Sequence, residues 1–161
     1  MRIEKVVVNS SPLIVLFRSN QAELLPQMFK TIIIPQQVYK EIVIDGPLDE
    51  AKNMLPGSAW CSRVEVEISL KVAAWNLGEG EASVFSYACQ KPEYRALVDD
   101  LAARRCAQVL GIKTLGTGGL LILAKKRGLI NSVKDRLERL QESGLYLSEP
   151  VISLLLSKAG E

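Results

Sequence analysis

No histidine occurs anywhere in the 161 residues of this chain. Its absence excludes nucleophilic catalysis of the Ser-His-Asp or Cys-His kind and turns attention to carboxylates. Cysteine is scarce as well: Cys61, Cys89 and Cys106 are odd in number and widely spaced. That pattern argues against a disulfide framework or a zinc knuckle and suits small buried side chains in a reducing cytosol. Aromatic residues make up only 6% of the chain, and Trp60, Trp75 and Tyr87 are too scattered to form a base-stacking platform. No apolar run approaches the roughly 20 residues of a membrane span, and Met1-Arg2-Ile3-Glu4-Lys5 lacks a signal-peptide core, so a soluble, cytoplasmic protein without a membrane partner is expected. Charge of one sign is also wanting. A formal net charge of +2 demonstrates no nucleic-acid partner, and any RNA or DNA surface has to be local.

What is present is a regular alternation. At 48% hydrophobic the chain is long enough for one core and too short for two ordinary domains, so residues 1–161 read as a single domain. Val6-Val7-Val8 and Thr31-Ile32-Ile33-Ile34 are short β-branched runs that read as fully buried strands. Ala96-Leu97-Val98 and Ile112-Lys113-Thr114-Leu115 read the same way, while Val64-Glu65-Val66-Glu67-Ile68 alternates as a half-exposed edge strand does. Between them lie helical stretches at 12–17, 22–29, 37–43, 48–55, 81–89, 101–110 and 120–126. Ser132 opens a further helix with a capping-box pattern, and Ser148-Glu149-Pro150 opens the last one. Strands alternating with helices imply a parallel sheet covered on both faces, with its binding crevice at the carboxyl ends of the strands. Asn9 and Asp99-Asp100 directly follow strands and belong at that edge.

The acids are the residues that can carry chemistry. A hard divalent cation takes oxygen ligands, one or two of them protein carboxylates. Glu41, Glu79, Glu81, Asp99 and Asp100 are the candidates, provided the fold brings helix ends beside strand ends. Each has a plainer reading. Glu41 fits a solvated helix face, Glu79 and Glu81 favour a helix N-terminus through its dipole, and Asp99-Asp100 fit an N-cap and first turn. The plainer reading explains poorly why two like charges follow a buried strand, where repulsion raises their pKa unless a cation offsets it. Gly116-Thr117-Gly118-Gly119 can cradle a phosphate with free amides or can simply form a tight turn; it lacks the lysine of a P-loop. Arg104-Arg105 and Lys125-Lys126-Arg127 are basic runs that serve either as solvated faces or as phosphate contacts. The apolar run Val151-Ile152-Ser153-Leu154-Leu155-Leu156 is expected to pack into the core as the face of a terminal helix, with an interface as the alternative.

The order of Asn9-Ser10-Ser11-Pro12-Leu13-Ile14, Pro35-Gln36-Gln37-Val38-Tyr39-Lys40-Glu41, Gly78-Glu79-Gly80-Glu81-Ala82, Val98-Asp99-Asp100-Leu101-Ala102-Ala103-Arg104 and Gly116-Thr117-Gly118-Gly119-Leu120-Leu121 resembles the PIN-domain family, in the branch related to VapC-type toxins. The resemblance spans nearly the whole chain. It implies a three-layer α/β/α fold with a central parallel sheet and an acidic pocket that binds Mg2+ or Mn2+ to cleave RNA. By position, Glu41, Glu81, Asp99 and Asp100 would be the catalytic and metal-holding acids, with Asn9 a further metal ligand and Glu79 a secondary acid. Ser10, Thr117 and Arg104 would meet the substrate phosphate. The same resemblance implies the toxin half of a toxin–antitoxin pair, with RNA as substrate, an antitoxin protein as partner and a homodimer as assembly. One departure stands out: the family pattern has aspartate after the first strand where this chain has Asn9. An amide offers an oxygen but no negative charge, which also admits a catalytically weakened or inactive module that binds nucleic acid or protein.

Overall fold

A computed structural model describes residues 2–161. Its centre is a five-stranded, all-parallel sheet in the order β3-β2-β1-β4-β5, formed by β1 (Lys5–Val8), β2 (Thr31–Pro35), β3 (Ser62–Val64), β4 (Arg95–Leu97) and β5 (Thr114–Leu115). Successive strand residues point to opposite faces, so Val6, Val7 and Val8, all fully buried, require cover on both sides. Ile32, Ile33 and Ile34 make the same demand, as do Ala96 and Leu97. Burying each of these valine, isoleucine and leucine side chains contributes about 1.5–3 kcal/mol over leaving it exposed. Helices supply the cover on the two faces, giving the three-layer α/β/α architecture.

The helices are α1 (Ser10–Arg18), α2 (Leu24–Met28), α3 (Gln36–Tyr39), α4 (Glu50–Met54), α5 (Leu70–Ala73), α6 (Glu79–Gln90), α7 (Leu101–Val109), α8 (Thr117–Lys126), α9 (Val133–Glu142) and α10 (Glu149–Lys158). A wider π-helical turn, Lys40–Ile44, continues α3. The connection after β1 leads to β2 and then β3 on one side, whereas α6 packs across β1, β2 and β4 and carries the chain to the other side. The strand order therefore reverses at β1. Side chains fasten the periphery: Asp49 caps α4 by accepting from the Lys52 amide at 3.1 Å and pairs with Arg18 at 2.8 Å. Arg127, past the end of α8, donates to the carbonyls of Ile3 (2.8 Å) and Met28, joining the entry to β1 with the end of α2.

Several expectations from the sequence are corrected. The edge strand is Ser62–Val64 rather than 64–68, because only Val64 of that alternating stretch reaches the ladder, opposite Pro35. Val66 and Ile68 pack against the core from an extended loop, and the Val66 carbonyl accepts from Gln37 Nε2 at 2.7 Å. The supposed turn 116–119 is the start of a helix, with Gly116 as N-cap of α8. Gly118 fits there because a Cβ on it would lie 2.6 Å from Leu155 of α10. The terminal apolar run does not enter the core. No residue of α10 is fully buried, Ile152, Leu155 and Leu156 pack partly, and Val151 and Leu154 are 41% and 55% exposed. One short helix over 10 residues cannot put a wholly apolar circumference against a single neighbouring face.

The Glu161 carboxylate holds this region together. It accepts from Lys125 Nζ (2.9 Å), the Val133 amide (2.7 Å), Ser132 Oγ (3.1 Å) and the Lys134 amide (3.2 Å), so it caps α9 from outside that helix. The Lys125 hydrogen bond, followed by the Val133 amide, holds its pKa down to about 2. The cysteines are unpaired, and burial raises the pKa of each thiol. No helix among the described residues is long and apolar enough to cross a membrane.

Candidate functional site

The carboxyl ends of β1, β2, β4 and β5 all open on one edge, and the helices that start there carry the polar side chains. Asn9 follows β1, and its amide donates to the Leu97 carbonyl at 3.1 Å, extending the pairing with β4. It occupies the N-cap position of α1 with extended backbone, yet its side chain makes no cap hydrogen bond. Its Oδ1 is buried without a partner. An orphaned buried acceptor costs about 1–3 kcal/mol. An asparagine that forgoes the cap and leaves that oxygen bare is therefore held there against its own solvation.

Glu41 comes from the π-helical turn after β2. Its carboxylate accepts from Ser10 Oγ at 2.7 Å and from the Gly80 amide at 3.0 Å, linking the starts of α1 and α6. The approach to α6 requires glycine, because a Cβ at position 80 would sit 2.6 Å from both carboxylate oxygens. Glu81, next along α6, is half-buried, and its Oε2 has no partner. Burial first, then the negative charges of Asp100 and Glu41, push its pKa above the ordinary carboxylate value.

The aspartate pair after β4 divides its work. Asp99 accepts from the Thr117 amide at 2.7 Å and from the Thr117 hydroxyl, lying across the start of α8. Asp100 is the N-cap of α7, with Oδ2 accepting from the Ala103 amide at 2.8 Å. The plainer use of an N-cap aspartate is thus realised in Asp100, although its charge still reaches Glu81. Thr117 is fully buried. The hydroxyls of Ser10 and Thr117 both give their protons to acids rather than standing free for a phosphate. A Cβ on Gly116 would meet Arg104 Nη1 at 3.2 Å and Asp99 Oδ1 at 3.4 Å, so a guanidinium and a carboxylate flank one point.

Side-chain contacts and charge coupling therefore run from Ser10, beside Asn9, through Glu41 to Gly80, Glu81 and Asp100, with Asp99 and Thr117 alongside. Glu79 is outside this chain: it is exposed, beside a cleft of about 310 Å³ with Gln36, Gln37, Lys40 and Glu65. Among the described residues no three acidic or cysteine side chains gather round one ion-sized position. Glu41 and Asp99 are drawn instead to hydrogen-bond donors of the protein. Asn9 Oδ1 and Glu81 Oε2 are left without partners, and Glu81 feels the charges of Asp100 and Glu41; all of these are oxygen donors, the ligand type hard divalent cations take. Gly80 is the residue that sequence reasoning missed. Its signal lies in the Gly-Glu-Gly-Glu spacing, where the glutamates stand as the candidates and the glycine between them is the residue that lets Glu41 approach.

A family model described as a PIN domain matches residues 5–161. Comparison with curated proteins and with solved structures gives no match.

Proposed function

The chain belongs to the PIN-domain family, whose members are generally nucleases that use divalent metals, and from that premise we propose a metal-dependent ribonuclease that cleaves RNA phosphodiester bonds. The observation that carries the reading is that two site oxygens, Asn9 Oδ1 and Glu81 Oε2, are buried without a partner, and that burial and the charges of Asp100 and Glu41 raise the proton affinity of Glu81. Asn9, Glu41, Glu81, Asp99 and Asp100 are the residues that would hold Mg2+ or Mn2+. Such an ion, when bound, supplies positive charge for the phosphate oxygens and acidifies water for in-line attack.

The protein's own side chains do the rest. Ser10 and the Gly80 amide fix the Glu41 carboxylate, and Thr117 fixes Asp99, so neither acid has to reorganise when substrate arrives. Glu81, whose Oε2 has no protein partner, is the carboxylate free to accept a hydrogen bond from the attacking water. Arg104 meets the substrate phosphate beside Asp99. In the cell the protein would be the cytoplasmic toxin of a toxin–antitoxin pair, folded as one domain. A homodimer is supported by Val151 and Leu154, which α10 leaves exposed; a monomeric mass in gel filtration would remove that part.

A second reading, a module that binds RNA or protein without cleaving, is favoured by Asn9 itself, because an amide adds no negative charge for a cation. One experiment separates the two. Purified protein, Asn9→Asp and Asp99→Ala are incubated with RNA and Mn2+, and Mn2+ binding is followed by calorimetry. Close opposite charges interact by several kcal/mol, so Asn9→Asp should bind Mn2+ at least about tenfold more tightly and cleave faster. If Asn9→Asp cleaves no RNA, or Asp99→Ala cleaves as well as its parent, the catalytic reading is wrong.

A further inference from the structure

Beside the acids, and not used by them, lies a cleft of about 460 Å³ lined by Leu101, Arg104, Arg105, Gln108, Ile112 and Thr114. Leu101, Arg104, Arg105 and Gln108 stand at positions i, i+3, i+4 and i+7 of α7, so they share one helical face. All four are exposed, Leu101 to 63%. Helical surfaces of this kind usually set arginine beside acid, as Arg139 does with Asp135. Here none does: the ion pairs among the described residues are Arg2–Glu4, Arg18–Asp49, Lys125–Glu161 and Arg139–Asp135, which leaves Arg104 and Arg105 unpaired. The face starts at the acids, because Asp100 is the N-cap of α7 and Arg104 Nη1 flanks Gly116 together with Asp99.

We infer that this face of α7 is the track for the RNA strand leading away from the scissile phosphate, with Arg104 and Arg105 on successive backbone phosphates and Leu101 under a base. The inference rests on the ribonuclease reading for the direction of the strand. The charge arrangement supports it. A polyanion is repelled by Glu41, Glu81, Asp99 and Asp100 and needs cations at the rim to offset that repulsion. Guanidinium supplies them with fork-shaped donors that match phosphate oxygens. From Arg104 to Gln108 the face advances about 6 Å along the helix axis, room for more than one polar contact along a strand. Gln108 offers an uncharged amide for a sugar or base edge at the far end.

The test needs no cleavage. Binding of a labelled single-stranded RNA oligomer is measured by anisotropy in EDTA across a salt series, for the parent, Arg105→Ala, Arg105→Lys, Gln108→Ala and Lys134→Ala. Lys134 is an exposed cation of α9 and serves as the control. Arg105→Ala should weaken binding roughly tenfold and lower the log–log salt slope by about 0.7, the change expected for one lost phosphate contact on a single strand. Arg105→Lys should keep the slope and recover part of the affinity, and Lys134→Ala should change neither. The inference is overturned if Arg105→Ala binds as the parent does, if Lys134→Ala loses as much, if the parent does not bind RNA, or if a poly-glutamate peptide competes as well as RNA. RNA binding that depends on Arg105 in a protein that cleaves nothing would instead sink the ribonuclease reading and leave the track standing.

Discussion

Gly80→Ala tests how the Glu41 carboxylate is held. The added methyl would lie 2.6 Å from both of its oxygens and 2.8 Å from its carboxyl carbon, far inside contact distance. The neighbour is the tip of a flexible side chain, so the carboxylate moves and helix α6 stays. In moving it gives up the Ser10 hydroxyl and the Gly80 amide. A hydrogen bond to a charged group contributes about 1.5–3 kcal/mol, and the half-buried setting argues for the low end for each of the pair. Alanine is a better helix former than glycine by roughly 0.5–1 kcal/mol. The net destabilisation is therefore about 2 kcal/mol, which lowers Tm by roughly 4–8 °C in a chain of this size. Urea unfolding of Gly80→Ala measures it. The decisive comparison is Gly80→Ala in a Glu41→Ala background, where no carboxylate remains to be displaced. There the substitution should be stabilising by the helix-forming gain alone. Equal destabilisation in both backgrounds would refute the account and place the strain elsewhere.

Two other outcomes follow from the same geometry. Glu161 ionises near pH 2 in the folded protein and near 4.5 otherwise. Because the unfolded chain takes up this proton first, the contribution is complete above about pH 4.5 and is lost as pH falls towards 2. Acid titration of stability should show that loss in the parent and less of it in Glu161→Gln; parallel curves would contradict the capping role. Arg127→Met strips the donors from the carbonyls of Ile3 and Met28 and should cost about 2–4 kcal/mol in urea unfolding. Arg127→Lys should recover less than half, since one ammonium cannot span both carbonyls as a guanidinium fork does. Full recovery with lysine would show that charge, not the fork, is what matters.

Much of the architecture was legible because its signals are local. Val6-Val7-Val8 and Thr31-Ile32-Ile33-Ile34 have no polar face to offer water, so they had to be interior strands, and the alternation with helices followed. The stretch 64–68 misled because alternation marks any extended segment lying on a body, whether or not its backbone pairs. Thr117, Gly118 and Gly119 read as a turn because glycine and threonine are poor helix formers. Tertiary contact overrode propensity there: Thr117 is held by Asp99, and Gly118 gives Leu155 room. The acids themselves were readable as a set, but not the hydrogen bonds that hold Glu41 and Asp99, which join residues 31 and 18 positions away in the chain. Nothing in Lys40-Glu41-Ile42-Val43-Ile44 announced a π-helical turn, since that geometry is chosen by packing rather than by side-chain type.

That turn has a consequence for how this protein can vary. A π-helical turn carries one more residue than the α-helical turn it replaces. Removing a single residue between Pro35 and Glu41 would let the segment close into ordinary helix and rotate the following side chains by about 100° about its axis. Glu41 would swing away from Ser10 and Gly80, and Ile42 would be offered in its place. The position of an acid in space is fixed here by a count of residues, so a one-residue deletion should be more damaging to the site than many substitutions within it.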